Sequence, residues 1–474
     1  MTREELLDDH KDIPEIIESS IEMTEANSSF KIYEGEYLLK SDTEEIKVNG
    51  IITFDWVANS GSHFSGKAVL EPSQYKAFSN SLSIYKIVVD GLEFGNGFIT
   101  KNSFGSNFKG CFIKGTLSQQ AVFGDKSIAV EKIIFSIPNF REIHGLPVKK
   151  ITSKNSSISM NRLRLENDNY IISIDKCSDY KERQESLEEK GGYVILYYGE
   201  LTSKKGPLKL EDTKEVFHCL DTFLTFINGR RTSAMFLQGV YAGEVIWCDY
   251  TDYFVDPYKI VQSWPQRHSI RGLNELWQNF SLLWKETEDK NFLTSAIHWY
   301  VEANGNRGFS EGSIIMAQTA LELLYNWWII EHKKLIVGKD SENINASNKI
   351  RLLLSQLNIT HSVPEAFKQL QQFIAESKDI IDAPDAVVQI RNAIVHSQEE
   401  KRKKLSAIHY KAKYEALQLC IWYIEMTLLC ILNFDDIYFN RCSKEIHVSK
   451  AEELVPWTKK KIVQKLTANR GQAL

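Results

Sequence analysis

Asp382-Ala-Pro-Asp-Ala-Val-Val-Gln-Ile-Arg391-Asn392-Ala-Ile-Val-His396-Ser397 decides how the C-terminal half of this 474-residue chain is read. Asp382 is placed to cap a helix, Pro384 suits its first turn, and Asp385 completes a carboxylate version of a capping box. The acidic start also complements the helix dipole. At about 100° per residue, Val387, Val388, Ile390, Ile394 and Val395 form one broad apolar face. Arg391 falls near the middle of that face, where a guanidinium is costly unless paired. Asn392 and His396 stand one turn apart just outside it. The pattern predicts a helix over 382–398 that gives up stability to hold an arginine inward beside an Asn and a His.

Other segments offer the counter-charge. Between Glu311 and Glu331 the only charged residue is Glu322, and Gln318, Glu322 and Asn326 recur every four residues as one narrow polar stripe. A lone acid on an apolar helix needs a cation, so Glu322 is expected to pair with Arg391, directly or through water. Glu425, isolated in an apolar run over 419–429, is the rival partner. The central acid, the Gln and the Asn argue against reading 310–334 as a membrane span. Helical periodicity is also predicted at 271–288, 290–303, 345–357, 363–376 and 403–433, which together read as a bundle.

The N-terminal half has a different period. Short β-branched or aromatic runs at 30–39, 45–56, 66–70, 82–89, 97–100, 108–116, 128–137, 158–165, 170–174 and 192–201 predict strands. Turn signals such as Asp90-Gly91, Asn96-Gly97 and Gly191-Gly192 separate several of them. Strand and helix do not alternate, so an antiparallel sandwich or barrel is expected rather than a parallel doubly wound sheet. A helix at 212–229 and a hairpin at 234–250 follow. His218 reads as a packed helix residue, while His63 and the Phe104–Asn107 turn read as plain loop. The fold class is therefore α+β and multidomain. It divides into an acidic arm (1–28), a β-rich region (29–262), an all-α domain (263–440) and a tail (441–474).

Composition is ordinary for a globular protein, with 43% hydrophobic and 25% charged residues, which excludes wholesale disorder. The net charge of -5 does not mark a general nucleic-acid binder, so any RNA contact needs a local basic patch. The seven cysteines are scattered and contain no C-x-x-C, which argues against a zinc ribbon and for a reducing compartment. The first ten residues are acidic and lack an apolar signal core. The expectation is a cytoplasmic protein with no membrane partner, no metal and no cofactor.

Arg391-Asn392-Ala-Ile-Val-His396 resembles the signature of the HEPN ribonucleases: Arg, a polar residue, a short spacer, then His on a helix of an all-α bundle. The looser spacing also occurs at Arg3…His10, Arg402…His409 and Arg441…His447, but only the 391–396 instance joins Asn to helix signals. The order of a β-rich region followed by such a domain resembles ApeA-type anti-phage proteins, and the stretch around Glu322 resembles their corresponding helix. The resemblance implies metal-independent RNA cleavage, with tRNA one candidate substrate, in a composite site at a homodimer interface. It also implies abortive-infection defence against phage, with the β-rich region sensing a phage-derived trigger. Arg391, Asn392, His396 and Glu322 would then be the catalytic set. Lys401, Arg402, Lys403 and Lys404 would track the RNA backbone, and Tyr410 would stack on bases. Two readings from other classes remain open. One is a non-catalytic adaptor that binds RNA or a protein; the other is a carbohydrate-binding β-sandwich centred on Trp56 or His63.

Overall fold

The computed structural model describes residues 12–42, 44–68, 70, 83–104, 110–151, 156–266, 271–306, 308–396, 398–445 and 450–458. The expected arm residues before 12, most of the Phe104–Asn107 turn, His447 and the 459–474 end lie outside them. The chain divides into two units, Met1–Asp221 with Thr232–Lys259, and Thr222–Arg231 with Ile260–Leu474.

The first unit is built on alternation. In β2 (Glu45–Asp55) the buried residues are Ile46, Val48, Ile52 and Phe54, while Glu45, Lys47 and Asn49 face solvent. With β1 (Phe30–Lys40), β3 (Gly61–Ala68), β4 (Ile84–Val89), β5 (Leu92–Phe104) and β6 (Cys111–Gly124) it forms a closed antiparallel barrel. The order is β1-β2-β3-β6-β5-β4, and the β3–β6 pairing closes the ring. Tyr37, Leu39, Val48, Ile52, Phe64, Ile87 and Ile113 fill the interior. Gly50 faces Gly66 across β2 and β3, and a Cβ on Gly50 would lie 2.0 Å from the Ser65 carbonyl. The backbones there approach too closely for any side chain.

β6 is longer than the barrel needs. Its far end, Val122–Gly124, leaves the ring and pairs with β13 (Glu244–Asp249). From there an open antiparallel sheet continues through β12 (Met235–Tyr241), β7 (Lys132–Pro138), β11 (Ile195–Ser203), β10 (Tyr170–Lys176), β9 (Ser156–Glu166) and β8 (Leu146–Ile151). The α+β class and the antiparallel pairing agree with the pattern reading. Two described elements of this unit were not foreseen: β8, which contains Pro147 and paired lysines, and α1 (Tyr180–Lys190). In α1 only Arg183 and Leu187 are buried, so no apolar stripe announced it. Residues 12–28 are not a loose arm. Ile16 N–H donates to the Lys149 carbonyl, Ile17 N–H to the buried Asp175 carboxylate, and Ile21 and Met23 are buried.

The carbohydrate reading loses its platform here. Trp56 is buried and stacked on Tyr193, and His63 Nε2 is held by the Asn59 carbonyl at 3.0 Å. His218, expected to be packed, is exposed.

Asp221, in α2 (Leu210–Asn228), accepts hydrogen bonds from the Ser233 hydroxyl and the Ala234 N–H. Burial outweighs these bonds and pushes its carboxyl up to about 7. The unfolded chain releases this proton near pH 4, so the group's contribution to stability is fully present below that pH. The contribution falls as pH rises from about 4 to about 7. Asp221→Asn is expected to remove this fall, gaining about 4 kcal/mol over wild type at pH 8 relative to pH 4. Urea unfolding at both pH values reads the difference, and an identical pH dependence in the two proteins would contradict it.

The second unit is helical: α3 (Arg271–Leu283), α4 (Thr287–Asn304), α5 (Phe309–Tyr325), α6 (Ala346–Gln356), α7 (Lys368–Glu376), α8 (Ala383–Val395), α9 (Glu399–Ala407) and α10 (Tyr410–Ile431). The expected helix at 310–334 ends its regular part at Tyr325 and continues as a π-helical turn, Asn326–His332. The expected single helix at 403–433 is two. His409 breaks it and caps α10 by accepting from the Lys411 N–H.

α10 is buried along most of its length and packs on α5 and α7. It is long and apolar enough to cross a membrane, but in this unit it is a core helix. Glu425 lies at its buried centre. Its carboxylate is gripped by Arg441 through Nε at 2.9 Å and Nη2 at 2.5 Å, and Tyr300 donates to it at 2.8 Å. Arg441 also donates to Asn304, Gln418 and the Gln262 carbonyl. The segment expected as a tail therefore supplies a core cation. A short strand pair, β14 (Ile437–Phe439) with β15 (Glu452–Leu454), holds it in place.

Candidate functional site

α8 begins as its sequence predicts. The Asp382 side chain accepts from the Asp385 N–H at 3.0 Å, with Pro384 in the first turn. Arg351 of α6 then clamps this start, donating to both Asp382 oxygens at 2.7 and 2.8 Å and lying 2.9 Å from Asp385. Burial pushes the Asp382 carboxyl up, but the Arg351 hydrogen bonds and the Asp385 N–H win and hold it below its usual range.

The buried face of α8 is rotated from the expected one. Ala383, Ala386, Val387, Ile390 and Ala393 are buried, while Val395 is exposed and Arg391 half-buried. The alanines let neighbouring helices approach closely, and they turn the face so that Arg391 sits roughly 90° from its centre. The guanidinium is a rim residue, not a core one.

Among the described residues no carboxylate lies within ion-pair distance of Arg391; its Nη1 donates to Asn392 Oδ1 at 3.2 Å. Glu322 does not take the expected role. It is exposed and pairs with Lys349 at 2.5 Å, and the rival Glu425 is held by Arg441. The Gln318–Glu322–Asn326 stripe lies on the accessible side of α5, where a solvated acid needs no buried cation. Arg391 and Glu322 nevertheless line one pocket of about 250 Å³, with Gln318, Thr319, Lys349 and Ile350. Gln318 anchors its floor by donating to the Val387 carbonyl at 2.7 Å.

The helix stops before His396. That residue has an extended backbone, its N–H donates to the Asn392 carbonyl at 3.1 Å, and it is exposed. Arg391 and Asn392 thus share the last turns of α8, and His396 projects where the chain leaves them. Within one copy the His is not among the residues lining the Arg391 pocket.

The expected basic run also divides. Lys403 and Lys404 are exposed on α9, and Lys403 pairs with Glu399 at 2.8 Å. Lys401 and Arg402 belong to the same helix, but their side chains lie outside the described residues. Tyr410 opens α10 and is 69% exposed. It lines a separate groove with Tyr414, Lys411 and Lys413, which also holds Phe309 and Lys444. No sequence pattern joined Phe309 and Lys444 to this cluster, because they come from the start of α5 and the segment after α10. Among the described residues no group of three His, Cys, Asp or Glu converges as metal ligands.

Residues 286–452 match the YopA C-terminal domain, and residues 125–261 match the YopA central domain. The chain is similar to YopA. The SPbeta prophage-derived uncharacterized protein YopA of Bacillus subtilis (strain 168) is 26% identical over 450 residues, covering 93% of this chain and 98% of that protein. No solved structure matches. The YopA C-terminal match contains every candidate residue named above, from Phe309 to Lys444, and the central-domain match begins just after the barrel's last strand.

Proposed function

We propose that the chain is a metal-independent endoribonuclease of the HEPN type, with its helical unit as the HEPN domain. Its active site is completed by two copies of the C-terminal end of α8. The observation that carries this reading is Arg391. It is a half-buried guanidinium with no carboxylate partner among the described residues, steadied by Asn392 beside an exposed His396. A cation kept at a pocket rim without a counter-charge suits an anionic ligand such as phosphate.

RNA brings its own nucleophile. His396 takes the proton of a 2′-hydroxyl, the oxygen attacks the adjacent phosphorus, and the bond to the 5′-oxygen breaks. The departing 5′-oxygen takes a proton from a second His396 across the two-fold axis. Arg391 stabilises the charge on the pentacoordinate phosphorus through its planar fork, and Asn392 orients that fork. The products carry a 2′,3′-cyclic phosphate and a 5′-hydroxyl. The reading includes a homodimer because His396 does not line the Arg391 pocket of its own copy. Glu322 pairs with Lys349 in the same pocket and so positions a second cation rather than Arg391.

Defence against phage follows from the ApeA-type resemblance, and the similar B. subtilis protein is prophage-derived. In this reading the β-rich unit senses the trigger. Purified full-length protein incubated with total RNA and a chelator tests the enzymatic reading. Cleavage that persists in chelator and needs both Arg391 and His396 is expected. RNA bound but left intact under all conditions would favour the adaptor instead.

A further inference from the structure

The groove at the start of α10 lies apart from the Arg391 pocket and encloses about 780 Å³. Three aromatic rings border it that this chain leaves uncovered: Phe309 at 83% exposure, Tyr410 at 69% and Tyr414 at 50%. Phe309 also holds a φ of +53°, a conformation unfavourable for a bulky side chain, with its ring in solvent and no burial in return. Tyr410 and Tyr414 are one turn apart on the same helix face, with Cβ atoms roughly 5–6 Å apart.

The charges around these rings are not balanced. Glu311 is taken by Lys413 at 2.7 Å, and the Glu415 carboxylate accepts from the Leu370 N–H at 2.6 Å. Arg441 is committed to Glu425. Lys411 and Lys444 remain, both exposed and without an ion-pair partner among the described residues. The Glu415 carboxylate keeps its charge and acts on Lys411, so the two lysines outnumber it by one and the groove carries a single positive charge in excess, on a chain whose net charge is -5. An apolar protein face laid on the rings would cover two ammonium groups without pairing them. Alternating bases and phosphates supply both partners: flat faces for the rings and anions for the lysines.

We propose that this groove binds single-stranded nucleic acid, with successive bases lying on Tyr410 and Tyr414 and backbone phosphates against Lys411 and Lys444. Phe309 caps the base nearest the start of α5. The site is an exosite: neither Arg391 nor His396 lines it, so it does not rest on the catalytic reading.

Fluorescence anisotropy with the full chain carrying His396→Ala, titrated into labelled oligouridine and oligothymidine, tests this. Both strands are expected to bind, with a preference for one identifying RNA or DNA as the natural source. Tyr410→Ala with Tyr414→Ala should weaken binding by about 100-fold, about tenfold per ring, and the paired Phe replacements should restore it. Lys411→Ala with Lys444→Ala should reduce the slope of log affinity against log salt by about 1.4, or about 0.7 per phosphate contact. The rings are exposed, so thermal unfolding should not move in the Tyr variants. Failure of the parent to bind either strand overturns the proposal, as does unchanged binding by the double Tyr variant. A dimer in sedimentation equilibrium that the Tyr variants dissolve, with oligonucleotide binding unaltered, would assign the groove to a second copy instead.

Discussion

His396→Ala is expected to lower RNA cleavage by about 10²–10⁴-fold, the range lost with a positioned proton-transfer group. Stability should barely change, because His396 is exposed and its backbone N–H, not its ring, makes the contact that ends α8. Arg391→Ala is expected to lose a comparable factor, since removing one donor to a developing oxyanion costs about 10²–10³-fold. Arg391→Lys should recover little, because an ammonium cannot reproduce the planar fork. If the site is shared between copies, a mixed dimer of wild-type and His396→Ala chains keeps only one of its two proton-transfer groups. Mixing the two should therefore lower the rate below the average of the separate proteins. Cleavage measured on one RNA by initial rate separates these cases; equal rates for wild type and His396→Ala would contradict the assignment.

Arg441→Met is expected to destabilise the helical unit by about 3–5 kcal/mol, because it strands the Glu425 carboxylate in the core. For a domain of this size that is a fall in melting temperature of about 10 °C. The cost comes from desolvation of an unpaired charge, not from the lost attraction alone. Glu425→Leu combined with Arg441→Met should therefore recover part of it. The remainder reflects the Tyr300 hydroxyl and the Asn304 and Gln418 side chains left without their partner, each costing about 1–3 kcal/mol if they stay unsatisfied. Thermal unfolding of the single and double variants measures both quantities. A single variant as stable as wild type would show that the pair is dispensable.

The legible parts of the sequence were those with strong local signals. The strand regions follow period-two alternation, and the start of α8 follows from Asp382, Pro384 and Asp385. The register of α8 misled because large apolar residues alone define a face centred near Arg391. Ala383, Ala386 and Ala393 add little hydrophobicity but bury the opposite edge. Barrel closure depends on the β3–β6 pairing, a long-range contact with no local marker. Glu425 did announce that a cation had to reach the core, but the choice among the chain's arginines is tertiary. The partner, Arg441, comes from a segment that reads as a tail. The groove at Tyr410 was half visible: Tyr410, Lys411, Lys413 and Tyr414 share one helix, whereas Phe309 and Lys444 arrive only through folding.

Arg391, Asn392 and His396 are proposed to cleave RNA through its own 2′-hydroxyl. Sequencing RNA 3′ ends from phage-challenged bacteria that express either wild type or His396→Ala tests it most directly. New 2′,3′-cyclic-phosphate ends in wild type that vanish in the variant are predicted, and their positions would name the substrate. Protection against phage that persists in His396→Ala cells, with RNA ends identical to wild type, would contradict the account.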